Sequence, residues 1–285
     1  MKPIVFLKAH VKGYTRKDGT YVKPHETKAP AAKPKPPAVG AHSAKVAPPP
    51  APPVDKKPLP AGAKPHPEPD HYGQQVMIHY PSKPTPPSTW SDPEAVATFV
   101  PGGAVPAELH GVPLSPWADH PKTDEGWEYY DGVDDDLDEP PLHVPPGMKI
   151  SAGVIVEEPD GRVWLTHPTN QFGGYQASFP KGTAEPGMSL QATALKEAFE
   201  ETGLKLRIVG FVGDFKRTTS VARMYRAVRV GGTPAAMGWE SQAVSLCPKG
   251  KLYDLLNMAT DHGLAQAIGA GDPPKKAQSG QASIF

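Results

Sequence analysis

Proline is spread so unevenly along this 285-residue chain that it partitions the sequence before any other feature is read. Of 38 prolines, 15 fall within the 47 residues 24–70, including the run Pro48-Pro49-Pro50-Ala51-Pro52-Pro53. Proline fixes φ and donates no backbone hydrogen bond, so neither a helix interior nor a central strand crosses such a stretch. Ala and Lys fill most of the remainder. A segment of this kind cannot bury enough apolar area to offset its ordering entropy, and 24–70 is expected to be a disordered, extended polyproline II spacer. Proline thins after Gly147. A folded domain is therefore expected over 148–270, forming by itself, with a flexible tail at 271–285.

Net charge is zero, but its distribution is lopsided. Residues 1–70 carry 13 Lys and Arg against 5 Asp and Glu, whereas residues 71–147 carry 2 against 13. Opposite blocks attract across a flexible connection, although physiological salt screens beyond about 8 Å. Residues 1–23 form a basic tail in which Asp18-Gly19 lies between two β-prone stretches, a hairpin signal. This tail resembles short basic segments at the ends of some phage and mobile-element proteins, and its partner is not identified by the sequence. The lone Cys247 excludes a disulfide framework and a multi-cysteine metal cluster, and points to a reducing, cytoplasmic setting. No run approaches the ~20 apolar residues of a membrane span. The N-terminal apolar run is too short for a signal peptide.

Residues 71–147 keep their prolines but regain aromatics: Tyr72, Tyr80, Trp90, Phe99, Trp117, Trp127, Tyr129 and Tyr130. Disordered linkers rarely hold three tryptophans, so an extended arm lying partly docked on a neighbouring domain is expected. Its acidic peak, Asp131 to Glu139, lacks the alternating register of a calcium loop.

From 148 onward the pattern is that of an α/β domain. Strands are expected at 150–157 and 162–167, joined by the turn Glu158-Pro159-Asp160-Gly161 into a hairpin, then at 204–215 and 220–230. Helical patterns cover 189–202, 251–256 and 262–268.

The segment with chemical content runs from Phe179 to Leu204. Ser189 suits a helix N-cap and Gly203 the residue that ends the helix. Glu197, Glu200 and Glu201 then stand at i, i+3 and i+4 on one face, while Ala192, Leu195 and Phe199 share the other. Like charges at these spacings repel, and near a helix C-terminus they also oppose the macrodipole. A divalent cation bound by hard carboxylate oxygens would offset both effects. A solvated acidic face has the same spacing, and on spacing alone the two readings stay open.

The segment resembles the Nudix box, the loop–helix–loop of Nudix hydrolases, with pattern G-x5-E-x7-R-E-U-x-E-E-x-G-U. Gly182, Glu197, Glu200, Glu201, Gly203 and Leu204 match in register. Met188 stands where the pattern has its first Glu, Lys196 where it has Arg, and Ala198 is small for U. The resemblance implies an α/β/α sandwich with a mixed sheet. It implies Mg²⁺, or Mn²⁺ in its place, held principally by Glu200 and Glu201, with Glu197 as ligand or proton acceptor and the backbone carbonyl of Lys181 as a further ligand. It further implies attack by metal-activated water on a pyrophosphate linkage of a nucleoside diphosphate joined to another moiety, such as ADP-ribose or a dinucleoside polyphosphate. In the family the box Glu and Arg fix the loop and orient the helix carboxylates.

Further candidates lie outside the helix, the first of them from the same resemblance and the others from their own chemistry. Glu240 is the candidate for a later glutamate acting as base or extra ligand. Trp239, Phe172 and Tyr175 are candidates for stacking on a nucleobase. Lys181, Lys216, Arg217, Arg223 and Arg226 are candidate phosphate partners, Arg217 foremost. The two departures also admit a second reading, a catalytically weakened Nudix-like binding or structural protein whose basic tail contacts a partner or nucleic acid.

Overall fold

The computed structural model describes residues 64–273 and, ahead of them, the backbone of four short strands. The chain divides into two compact units, Met1–Ala51 and Pro52–Phe285. In the first unit the strands are β1 (Ala9–Val11), β2 (Tyr14–Thr15), β3 (Tyr21–Val22) and β4 (His25–Thr27). β2 pairs antiparallel with β3, and β1 pairs antiparallel with β4, as two separate two-stranded sheets. The Asp18-Gly19 turn, most of the expected spacer and the tail from 274 lie outside the described residues.

The second unit opens with short elements: β5 (Lys64–Pro65), β6 (Met77–Ile78), β7 (Ala97–Phe99), β8 (Glu108–Leu109), β9 (Val112–Pro113) and the helix α1 (Asp124–Glu128). There follow β10 (Lys149–Val156), β11 (Val163–Pro168), β12 (Lys181–Thr183), α2 (Leu190–Thr202), β13 (Leu204–Lys216), β14 (Ser220–Gly232), β15 (Ser241–Cys247), α3 (Leu252–Leu255) and α4 (Ala259–Ala267). A mixed sheet runs in the order β12-β10-β14-β13, with β10 and β14 parallel and the other pairs antiparallel. A second, antiparallel sheet runs β11-β15-β7.

β10 and β11 do not form the expected hairpin. The turn between them is as expected, with the Gly161 N–H donating to the Glu158 carbonyl at 2.9 Å. Past a single bridge between Glu157 and Val163, β10 stays in the mixed sheet and β11 crosses to the other. A four-residue turn closes either arrangement, and what divides them is burial. Val154 and Val156 enter one core cluster while Ile155 enters another. Trp164 joins the first and its neighbours Val163 and Leu165 the second. Strands buried on both faces need cover on both. Here α2 covers the first cluster, and α3 and α4 the second. This gives the expected α/β/α sandwich.

The packing does not stop at residue 147. Trp90, Phe99, Trp117 and Trp127 lie buried in the same cluster as Val154, Trp164 and Phe199. β7 completes the second sheet by pairing with β15, Phe99 opposite Val244. Two buried guanidinium groups then tie the upstream segment down. Arg162 donates to the carbonyls of Thr89 and Trp90 at 2.9 and 2.6 Å. Arg229 pairs with Glu158 at 2.6 Å and donates to the Leu109 carbonyl at 2.7 Å. A buried cation stripped of such partners costs several kcal/mol. The compact unit thus includes residues 64–147, which supply both core side chains and the acceptors for buried charges. Among the described residues no helix is long and apolar enough to cross a membrane.

Candidate active site

The loop–helix–loop forms as its end residues dictate. The Ser189 hydroxyl accepts the Ala192 N–H at 3.2 Å and starts α2. Gly203 ends the helix with φ of +69°, where a side chain would meet the Thr233 carbonyl at 2.3 Å. β12 lies alongside, and the Lys181 N–H donates to Glu201 Oε2 at 2.9 Å. Gly182 leaves room for the Glu197 carboxyl: a Cβ there would stand 1.9 Å from Glu197 Cδ. The first two positions of β12 therefore receive two of the three helix glutamates.

The electrostatics follow from crowding. Burial raises the Glu197 carboxyl to about 7, and Glu200 and Glu240 push the same way, against Lys196. Burial raises Glu201 to about 8; Lys181 opposes and Glu197 and Glu240 add to the rise. Glu200 sits at the surface. It is raised too, by the protein packed around it and then by Glu240, Glu185 and Asp124, with Lys196 opposing. Glu240 is exposed, in a loop joined to α2 by the Gly238 N–H, which donates to the Glu200 carbonyl at 2.7 Å. Among the described residues no three His, Cys, Asp or Glu side chains close up as a formed metal centre would. The donor set nevertheless suits a hard divalent cation: carboxylates that raise one another's pKa gain when a metal replaces the proton.

The remaining candidates have distinct surroundings. Phe172 is 83% exposed. It stands in a loop where Asn170 and Gln171 adopt positive φ, a strained backbone for residues with side chains. Tyr175 is fixed, with Lys181 Nζ 5.0 Å and the Arg217 guanidinium 5.6 Å from its ring centre. Its hydroxyl contacts Thr260 Oγ1 at 3.1 Å and receives Arg217 Nη2 at 3.0 Å. Arg217 is buried and pairs with Asp261 at 2.6 Å, so it holds Tyr175 rather than standing free. Trp239 is half-buried beside His71, with ring centres 5.4 Å apart. Its carbonyl accepts from Thr169 Oγ1 at 2.6 Å, which ties its loop to that of Phe172. Arg223 is engaged by Asp214 and Glu139, and Arg226 by Glu157. Lys216 is exposed.

Sequence reasoning missed Asp124, Glu128 and Glu185. Lys196 Nζ donates to Glu185 Oε1 at 3.1 Å and to Asp124 Oδ1 at 3.2 Å, so it has carboxylate partners although Met188 offers none. Glu128 Oε1 accepts the N–H of Ser189. Glu185 lies inside the box loop and carried a signal in its nearness. No spacing rule relates residue 124 to residue 196.

An α/β/α sandwich whose loop–helix–loop brings glutamates against the start of a short strand defines a class of domain. Residues 147–265 match the family model described as NUDIX domain. RNA pyrophosphohydrolase of Caulobacter vibrioides (strain NA1000 / CB15N) is 39% identical over 59 residues, which is 21% of this chain and 34% of the relative. The chain thus spans about a third of the length of the curated relatives it matches. Among solved structures, a NUDIX hydrolase from Nitrosomonas europaea is 20% identical, covers 45% of this chain and 76% of its own, and has a TM-score of 0.37. An ADP-ribose pyrophosphatase from Streptococcus suis is 17% identical, with 43% and 87% covered and a TM-score of 0.36.

Proposed function

We propose that the domain is a Mg²⁺- or Mn²⁺-dependent hydrolase of a pyrophosphate linkage in a nucleotide-type small molecule. The observation that carries this is the seating of two box glutamates on consecutive residues of β12, Glu201 on the Lys181 N–H and Glu197 over Gly182. A strand residue's N–H and C=O leave on the same edge, so the Lys181 carbonyl faces the side on which its N–H meets Glu201. Glu197, Glu200, Glu201 and that carbonyl would hold the metal. When bound, the metal lowers the pKa of a coordinated water and neutralises charge on phosphoryl oxygens. Glu240, exposed on the loop bonded to the Glu200 carbonyl, would accept the proton of the attacking water.

Phe172 and Trp239 stand on loops tied together through Thr169, and are assigned to the base of the substrate. Lys181 Nζ, which donates to Ser178 Oγ at 2.5 Å, immediately precedes the box and is assigned to a phosphate. Tyr175 and Arg217 form the wall behind it. Against a weakened, purely binding role stands the fact that Lys196 has two carboxylate partners.

The test is hydrolysis of ADP-ribose, a dinucleoside polyphosphate and RNA with a 5′ pyrophosphate end, each with Mg²⁺, Mn²⁺ and chelator. Metal-dependent release of two phosphorylated products from at least one is expected. No turnover of any of them would refute the reading.

A further inference from the structure

Lys196 replaces a box arginine, and the difference is one of geometry as well as charge. An arginine presents a planar fork to one carboxylate; an ammonium is a compact charge with three donors. Lys196 uses two of them at once, on Glu185 in the box loop and Asp124 in α1. Met188 is partly buried against the core cluster that holds Phe199. The box therefore lacks its internal Glu–Arg pair and has a three-member bridge instead, one end of which lies outside the segment that matches the family model.

The bridge is one of three attachments of residues 117–130 to α2. Glu128 takes the N–H of Ser189 at the helix start. Trp117 and Trp127 pack on Phe199, with ring centres 5.4 and 5.9 Å away. The attached positions alternate with the carboxylates: Lys196 precedes Glu197, and Phe199 precedes Glu200. A small rotation of α2 about its axis would displace all three glutamates together, and attachments on both sides of Glu197 oppose it.

We propose that Asp124, together with Glu185, is a positioning residue for the metal-binding carboxylates, so that α1 is a working part of the site rather than a cover over it. The inference rests on the reading that Glu197, Glu200 and Glu201 bind a divalent cation. Asp124 and Glu185 would touch neither metal nor substrate; they act through Lys196. Removing outer partners of this kind costs roughly 10- to 100-fold in metal affinity or activity. Exposed ion pairs contribute little to stability, so the fold should hardly notice.

The experiment uses the full chain and Mn²⁺ alone as the probe, with free Mn²⁺ counted by electron paramagnetic resonance. The variants are Asp124→Asn with Glu185→Gln, which removes both charges at constant size, and Asp124→Glu, which keeps the charge. The double variant should bind Mn²⁺ about tenfold more weakly or worse, with kcat reduced, KM little changed and the melting temperature nearly intact. Asp124→Glu should stay close to the parent. Unchanged Mn²⁺ affinity in the double variant overturns the proposal. So does a loss that tracks a large fall in melting temperature and appears equally in Asp124→Glu. A parent that binds Mn²⁺ but hydrolyses no pyrophosphate sinks the proposed function while the positioning effect stays measurable. Normal hydrolysis and Mn²⁺ binding in the double variant sinks the positioning alone.

Discussion

The Glu197 carboxyl lies against the bare Cα of Gly182, so close that a methyl group there would stand 1.9 Å from Glu197 Cδ. The colliding atoms are the end of a side chain, which can swing aside. The cost of Gly182→Ala therefore falls on the carboxylate's position rather than on the backbone. Misplacing a working group by about 1 Å can cost roughly 100-fold in rate. Gly182→Ala should lower kcat by about that factor while the unfolding midpoint moves little. Steady-state kinetics beside urea unfolding checks this, and a large stability loss with normal kcat would reverse the assignment.

Glu201 makes the metal-free protein sensitive to alkaline pH. Its folded-state carboxyl is raised to about 8 and that of Glu197 to about 7, chiefly by burial, so the folded state holds protons that the unfolded chain releases. Stability from these groups is complete below the unfolded value near 4.5 and is lost as pH rises through about 7 to 8. In chelator, the melting temperature should decline across that window. Glu201→Gln should flatten the decline, and added Mg²⁺ should oppose it in the parent. A parent profile that rises from about pH 5 to 8 in chelator would contradict the crowding described here.

His167 acts in the opposite sense and at lower pH. Burial depresses its imidazole to about 4. The ring sits between the Gln176 carbonyl, 2.8 Å from Nδ1, and Ser245 Oγ, 2.7 Å from Nε2. A neutral ring donates to the first and accepts from the second. The unfolded chain takes up a proton near 6.5 and the folded one does not. Stability is therefore present above 6.5 and is lost as pH falls toward 4, by about 3 kcal/mol in all. His167→Asn should lose less stability between about pH 6.5 and 4 than the parent, read from urea midpoints.

Trp127 tests whether the upstream segment belongs to the core. It is buried, with its ring against Trp117, Tyr130 and Phe199. Trp127→Ala should destabilise the whole unit by about 3–5 kcal/mol, the usual cost of emptying such a site. A chain beginning at residue 148 should fail to give a cooperative transition, since Arg162 and Arg229 lose their carbonyl acceptors. A sharp, parent-like melt of that shortened chain would return the boundary to 147.

The parts legible in the sequence are those fixed by local chemistry. Ser189 and Gly203 bound α2 because capping depends on neighbouring residues, and the glutamate spacing sets their shared face. β15 was missed because every residue from Ser241 to Cys247 is buried, so no polar alternation marks it. The split of β10 from β11 was hidden because one turn serves either pairing. Asp124 and Glu185 were hidden for a further reason. Surface carboxylates have no sequence signature, and their meeting at Lys196 is created by docking across 72 and 11 residues of chain.

The central claim is that these glutamates work through a divalent cation on a phosphoanhydride. It is tested most directly by titrating Mg²⁺ into the full chain and into Glu201→Gln, with the best substrate of the panel at saturation. The account predicts turnover that is absent in chelator, rises with Mg²⁺ in the parent and is at least ~100-fold lower in Glu201→Gln at every concentration. Equal turnover in the two proteins, or turnover in the parent that ignores Mg²⁺, would contradict it.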